Sequence, residues 1–372
     1  MAGISDKKKK QKTKDGPELR PENLPDNLRT QHTHMTCGEH MNYHTNTRTS
    51  ATTYMALGVD NSWSQREFEA QFRVEGIRWS TPLDDNGCRT DRSSIEFDLI
   101  GIDPAIANAF RRILISDLPT MAVEHVFIIN NTSVMNDDVL AHRLGLVPLN
   151  LDPDLFQDKA EGEAASEMNT VVFKLVMACE PNADKPISVM SKELRWLPKG
   201  SQLPQETECE FVSSQEELLP HPAAPVHNDI LLLKLGAGQE IELEAHAVRG
   251  VGRDHAKWSP VSTAWYRLHP EIVFTKPVTG TAAEELAAAC PEIFSVVDGQ
   301  TVAAAARGNE LHLEKVRRLA ADERWAGRLE LRKRKDHFVF TVDSTGALPP
   351  QTLFTRAIDV LAEKADRLLQ RL

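Results

Sequence analysis

The clearest helical pattern in the chain begins at Asp103. This residue can cap a helix, Pro104 suits the first helical position, and Pro119 stops the helix. The apolar residues between them recur at offsets 0, 4, 7 and 8 and form one stripe, which comprises Ile106, Phe110, Ile113 and Leu114. Two adjacent arginines, Arg111 and Arg112, fall on the flank of that stripe. The pattern predicts an amphipathic helix with a cationic edge.

A second helix is predicted after Asn136. Asn136 can cap it, and the two aspartates that follow suit its positive end. Gly145 is expected to end the helix in a left-handed conformation, and Pro148 forbids its continuation. His142 and Arg143 belong to this short helix.

The last predicted helix follows Pro349 and Pro350 and runs to the end of the chain. Its apolar residues recur at offsets 0, 4, 7, 11, 14 and 18, and they are Phe354, Ile358, Leu361, Ala365, Leu368 and Leu372. This stripe is coiled-coil-like and longer than a helix needs merely to cover a sheet. A chain on its own cannot bury both this stripe and that of the first helix, so we expect a partner to cover them.

Period-two alternation predicts strands around residues 72–74, 95–100, 171–176, 193–197, 264–268 and 338–342. Residues 230–235 and 240–248 flank a Gly-Ala-Gly turn and are predicted to form a hairpin. The second of these strands is expected to have one buried face and one solvent-exposed face. The expected buried face is Ile241, Leu243, Ala245 and Ala247, and the expected solvent-exposed face is Glu240, Glu242, Glu244 and His246. Sheets and separate helices together indicate an α+β fold.

Residues 1–62 are polar and poor in aliphatic side chains, which predicts a mobile tail. Its basic run at residues 7–10 is either a nuclear localisation signal or a solvated terminus, and the sequence leaves both open. The tail also holds His32, His34, Cys37, His40 and His44 at short spacing, but without a Cys-x-x-Cys knuckle. We therefore favour no metal site there.

The net charge of −11, from 54 acidic and 43 basic residues, argues against a protein that binds DNA chiefly through its own positive charge. The five cysteines lie far apart, which indicates free thiols rather than a disulfide framework. No apolar run approaches the length of a membrane helix.

Candidate catalytic and ligand sites are weak. The Asp152 and Asp154 pair is more simply an acidic loop than an ion site, and Gly250-Val251-Gly252 is more simply a turn after a strand than a phosphate cradle. No nucleophile–base arrangement stands out. We expect no catalytic residue, cofactor or metal.

Several long motifs follow one another in a specific order. They are FDLIGIDPAIANAFRRIL at 97–114, LPTMAVE at 118–124, LAHRLGLVPL at 140–149, GQEIELEAHAV at 238–248, KWSP at 257–260 and DSTGALPP at 343–350. Together they resemble the alpha-like subunits of RNA polymerases, that is, bacterial alpha, the archaeal D subunit and their eukaryotic relatives. The resemblance covers residues 63–372.

The resemblance implies a dimerisation domain split between residues 63–120 and 260–372, with a β-rich domain inserted at 121–259. It implies that the two stripes pack on the helices of a smaller alpha-like subunit. The paired-arginine region would help to dock the second-largest polymerase subunit, through Arg111, Arg112, His142 and Arg143. For His142 and Arg143, pairing within the chain is about as plausible.

Other implied partners are the largest subunit and the small zinc-binding common subunits, with DNA reached only through the complex and no membrane. The implied location is the nucleus, both nucleolus and nucleoplasm, and the implied role is that of a non-catalytic assembly scaffold.

Cysteine content distinguishes the branches of this family. The polymerase II relative carries zinc-binding cysteines in the insert, and some archaeal versions carry cysteines for an iron–sulfur cluster. Here the insert has only Cys179 and Cys209. It is thus similar to the branch shared by polymerases I and III. A polymerase II or archaeal-type subunit without its metal, or a binding scaffold outside transcription, stays open as an alternative.

Overall fold

The computed structural model describes residues 24–50, 59, 63–79, 94–160, 162–303, 306–307 and 310–372. Its helices are α1 (Asp26–Thr33), α2 (Gln65–Gln71), α3 (Pro104–Ser116), α4 (Asp137–Gly145), α5 (Pro204–Thr207), α6 (Thr281–Ala289), α7 (Leu313–Ala321) and α8 (Pro350–Leu369). Its strands are β1 (His34–Cys37), β2 (Asn42–Tyr43), β3 (Arg73–Trp79), β4 (Ser94–Ile100), β5 (Pro119–Asn131), β6 (Thr170–Ala178), β7 (Ile187–Met190), β8 (Arg195–Trp196), β9 (Leu231–Leu235), β10 (Glu240–Val251), β11 (Val261–Phe274), β12 (Phe294–Val297), β13 (Gln300–Ala303) and β14 (Leu329–Ser344). This mixture of separate helices and sheets confirms the predicted α+β class.

The chain forms two compact units. The first comprises the described part of Met1–Phe72 with Ile100–Pro104 and Leu268–Phe338, and the second comprises Arg73–Leu99, Ala105–Arg267 and Val339–Leu372. The sequence boundaries at residues 62, 120 and 259 do not coincide with these units and stay a prediction. None of the helices in the described residues is long and apolar enough to cross a membrane.

In the first unit, part of the expected tail is structured. β1 pairs antiparallel with β14, so that His34 lies opposite Arg334 and Cys37 opposite Leu331. Cys37 is buried in a core that also contains residues of α6 and α7. The prediction of a mobile tail is therefore wrong for residues 34–37, because a strand added to a sheet edge is held by backbone hydrogen bonds and needs few aliphatic side chains. The basic run at residues 7–10 lies outside the described residues.

The second unit contains the sheet β5-β10-β6-β8. Each residue of the predicted buried face of β10 lies in the main hydrophobic core of this unit, which confirms that face. The predicted solvent-exposed face is wrong at Glu244 and His246, which are both buried. Residues that follow β8 cover Glu244: Ser201 Oγ donates to its carboxylate at 2.6 Å, and the backbone N–H of Gln202 donates at 3.1 Å. The His246 ring packs against Phe127 of β5, with ring centres 4.8 Å apart. Such cover is not visible in local alternation.

The predicted hairpin of β9 and β10 is also wrong. β9 pairs with β7, whereas β10 has β5 on one edge and β6 on the other. With both edges occupied, β10 has no hydrogen-bonding groups left for β9.

The predicted starts of α3, α4 and α8 are confirmed, and α3 ends before Pro119 as predicted, but α8 ends at Leu369 rather than at the last residue of the chain. Asn136 caps α4 by accepting a hydrogen bond from the backbone N–H of Asp138 at 3.1 Å. The role assigned to Gly145 is wrong, because it is the last helical residue and does not have a positive φ. A Cβ at this position would lie 3.3 Å from the carbonyl oxygen of Val123, so close packing against β5 favours glycine here.

Candidate partner interface

Aromatic rings join α3 and α8 within the second unit. The Phe110 ring on α3 lies 5.2 Å from that of Phe354 on α8, and Phe354 meets the edge of Phe97 on β4 at 4.7 Å. Phe97 in turn stacks on Phe340 of β14 at 5.7 Å. Phe110 and Phe354, both predicted to face a partner, therefore contact each other and are half-buried already.

Two further residues of the predicted stripe on α3 lie deeper than Phe110. Ile113 and Leu114 are buried within this chain. They have almost no surface left for a partner, so their assignment to the dimer interface is wrong: an apolar stripe at helical spacing does not distinguish a core contact from a partner contact. Ile106 is half-buried, and its assignment stays a prediction.

α8 carries two apolar stripes. Leu353 and Ala357 are fully buried and face the chain's own core. The neighbouring stripe is Ile358, Leu361, Ala365 and Leu368, whose spacing of 3, 4 and 3 residues is that of a heptad. Ile358 is 45% exposed and Leu368 is 64% exposed, and Ala365 is exposed too. Leu369 is 68% exposed and was missed because it lies off the regular spacing.

A cleft of about 720 Å³ lies between α3, the loop after β10 and α8. Arg111 and Arg112 both line it. The Arg111 guanidinium donates twice to Asn108 Oδ1, at 3.1 and 3.0 Å, which fixes its direction. Arg112 is exposed and has no side-chain partner within the described part of the chain. Arg112 is thus the cation of the predicted pair that is free to bind another molecule.

Asp117, just after α3, holds two further cations in this cleft. One carboxylate oxygen accepts from Arg253, and the other accepts from Lys364 of α8. Burial alone would raise the pKa of Asp117, but the hydrogen bonds and charges of Lys364 and Arg253 outweigh it, so that this pKa lies below its ordinary value. Asp117 therefore stays ionised at neutral pH and links α3, α8 and the loop.

Gly252 explains how Arg253 reaches Asp117. A Cβ on Gly252 would lie 2.2 Å from the carbonyl oxygen of Ile115, so only glycine lets the loop pass this close to α3. The backbone N–H of Arg253 then donates to the carbonyl oxygen of Ser116 at 2.9 Å. Gly250 and Val251 still belong to β10, and the predicted turn after the strand begins only at Gly252; both glycines allow close packing.

His142 and Arg143 do not line this cleft. The Arg143 guanidinium donates to the backbone carbonyl oxygens of Leu231 and Leu232 on β9, the latter at 3.0 Å. For Arg143 the alternative of pairing within the chain is therefore the better one. His142 is exposed, and its docking role stays a prediction.

Comparison with known proteins identifies the family of this chain. Residues 96–365 match the RNA polymerase Rpb3/Rpb11 dimerisation domain. The subunit RPAC1 of DNA-directed RNA polymerases I and III from Bos taurus is 41% identical over 330 residues, covering 85% of this chain and 88% of the relative. The Homo sapiens subunit of that name has the same identity and coverage, and the Saccharomyces cerevisiae subunit is 36% identical over 347 residues, covering 88% of this chain and 96% of the relative.

The chain belongs to the family of RNA polymerase subunits with this dimerisation domain. The matched span includes the whole of α3 and α8 as far as Ala365, and therefore both walls of the cationic cleft. The resemblance that the sequence motifs carry is confirmed.

Proposed function

We propose that this chain is the larger alpha-like subunit shared by RNA polymerases I and III. The observation that carries the proposal is its 41% identity to subunits of that name over 85% of its length. In this role it contributes to the synthesis of ribosomal RNA precursors, 5S rRNA and tRNA. It acts in the nucleus, in both nucleolus and nucleoplasm.

Its contribution is structural and non-catalytic. The heptad stripe of α8 supports a helical partner, the smaller alpha-like subunit. Three of its four residues, Ile358, Ala365 and Leu368, are exposed on the chain alone. The cationic cleft supports docking of the second-largest subunit through Arg111 and Arg112. The largest subunit and the small zinc-binding common subunits then join the assembly, and DNA is contacted only through the complex.

Affinity purification of the tagged full-length chain from its own cells, followed by mass spectrometry, tests this proposal. We expect the two large catalytic subunits of polymerases I and III together with the smaller alpha-like subunit. Recovery of the polymerase II large subunits instead would show the alternative branch, and recovery of no polymerase subunit would show a scaffold outside transcription. Elemental analysis of the purified chain should find no stoichiometric zinc or iron.

A further inference from the structure

Residues 24–50 form an arm that lies against the rest of the first unit and comprises α1, β1, β2 and the segment after β2. β1 pairs with β14 over four residues, whereas β2 pairs with β1. The buried apolar side chains of the arm are Cys37 and Leu24, and Leu24 packs on Val59. Of the eight residues of α1, His32 is the one that is buried. Apolar burial therefore contributes little to holding the arm in place.

Polar contacts contribute more. They join Lys335 and Asp336 of β14, Arg317 of α7 and Glu271 of β11 to Gln31, Arg48, Gly38 and His34 of the arm, respectively. Lys335 is only 4% exposed. Its Nζ donates to the backbone carbonyl oxygen of Gln31 at 2.7 Å, in the last turn of α1. Because a helix cannot satisfy its own last carbonyl groups, Lys335 caps the end of α1.

Burial of the Lys335 ammonium opposes this contact. A cation suits the C-terminal end of a helix, but removing the cation from water is costly. Burial, with a smaller contribution from the charge of Arg48, lowers the pKa of Lys335 from 10.5 to about 8. The loss of hydration therefore outweighs the attraction of the helix end. Both causes involve the arm, because α1 contacts the Lys335 ammonium and Arg48 belongs to the arm.

We propose that residues 24–50 form a strap that closes more tightly on β14 when the buried Lys335 side chain loses its proton. The neutral amine still donates to Gln31 and no longer carries a charge out of water. Protonation favours the open strap, which returns the ammonium to solvent and exposes the backbone edge of β14 at residues 331–334. The strap opens locally, while the core around α6 and α7 stays folded.

The direction of the pH dependence follows from proton binding. The pKa of Lys335 is about 8 when the strap is closed and returns to 10.5 when it is open. Between these values the open form binds the proton more tightly, so closure releases a proton and strengthens as pH rises. From pH 7 to pH 9 the equilibrium constant for closure should increase about tenfold.

Other charged or titratable groups lie on the elements packed around Lys335. They are His32 and Arg48 of the arm, Arg334, Asp336 and His337 of β14, and His269 of β11, whose ring stacks on that of His337 at 4.2 Å. Asp336 accepts from Arg48 at 2.9 Å and from Arg334 at 3.3 Å. Substitution of Lys335 alone distinguishes its protonation from theirs.

Thiol alkylation of Cys37 in the full-length chain tests this device. Cys37 is buried on β1 and becomes reactive when the strap opens. Its rate of reaction with iodoacetamide is read from the Cys37 peptide by mass spectrometry. Division by the rate in denaturant at the same pH corrects for ionisation of the thiol. Cys290 is buried in the same core but lies outside the arm, and it serves as the internal control for the fold.

In the unsubstituted chain the corrected Cys37 rate should fall about tenfold from pH 7 to pH 9, while Cys290 stays protected. In Lys335→Met and in Lys335→Arg the rate should not change with pH, because the first side chain is never charged and the second always is. At pH 7 the rate should be lower in Lys335→Met than in Lys335→Arg. The matched control Lys276→Met removes an exposed lysine of the same unit and should keep the tenfold fall.

A corrected Cys37 rate that does not fall in the unsubstituted chain, or a fall that persists in Lys335→Arg, would overturn the proposal. Equal rates for Cys37 and Cys290 would also overturn it, because they would indicate global unfolding rather than an opening strap. If labelling of Cys290 shows that Lys335→Met does not fold, the pH dependence of Lys335→Arg decides the question.

Discussion

The exposed stripe of α8 allows the partner contact to be perturbed without disturbing the fold. The perturbation is the double substitution Ile358→Ala and Leu368→Ala. Complete burial of one large aliphatic side chain contributes about 1.5–3 kcal/mol. Ile358 is 45% exposed and Leu368 is 64% exposed. Covering them with a partner would therefore contribute to the binding free energy roughly half of that amount from Ile358 and two thirds from Leu368.

Alanine retains part of each contact, so the double substitution should reduce the binding free energy by about 2 kcal/mol. This corresponds to a dissociation constant that is roughly thirty-fold larger. Isothermal titration calorimetry with the smaller alpha-like subunit measures the affinity, and the thermal unfolding of the chain alone measures the fold. The fold should be almost unaffected, because both side chains are exposed and alanine favours helices.

The matched control is Leu353→Ala, which lies on the fully buried stripe of the same helix. It should destabilise the chain itself by about 2–5 kcal/mol. Phe354 is a poorer choice, because it packs on Phe97 and Phe110 within the chain. An unchanged affinity of the double variant, or a loss of its own stability equal to that of Leu353→Ala, would refute the assignment of this stripe to a partner.

Three further predictions concern the fold. Deletion of residues 1–50 removes β1 from β14 and should speed amide exchange at residues 331–334, whereas deletion of residues 1–23 should not. Gly252→Ala places a Cβ 2.2 Å from a backbone oxygen and should destabilise the chain by roughly 1–3 kcal/mol in calorimetry, while Gly236→Ala, whose Cβ would meet only the Gln239 side chain at 3.3 Å, should have a smaller effect. Burial, with smaller contributions from Lys159 and His125, lowers the pKa of His246 from 6.5 to about 4. The unfolded chain therefore binds this proton first, and stability should fall by about 3 kcal/mol as pH drops from 6.5 to 4. The slope of chemical denaturation free energy against pH should flatten in His246→Gln.

The parts of the fold that the sequence predicts are those governed by local rules. Asn136 and Pro350 mark helix starts through capping and fixed φ angles, which neighbours in sequence determine. The heptad spacing from Ile358 to Leu368 is likewise a local property of one helix.

The features that escaped prediction depend on distant residues. Cys37 is buried because it lies opposite Leu331, and Glu244 is buried because Ser201 and Gln202 cover it. Arg253 and Asp117, which complete the cleft, are 136 residues apart. Periodicity can show that α3 and α8 each have an apolar stripe, but it cannot show which side chains the chain covers by itself.

The position of Asp117 has a consequence for the order of assembly. Its carboxylate holds Lys364, which lies on α8 between Leu361 and Ala365 of the exposed stripe, and the same carboxylate holds Arg253 in the cleft. A subunit that binds along α8 therefore also restrains the cations that a second subunit would meet. Binding at the two surfaces should be thermodynamically linked, and the linkage must be reciprocal. We expect each subunit to bind more tightly once the other is in place, so that the two-subunit complex, rather than the chain alone, recruits the next component.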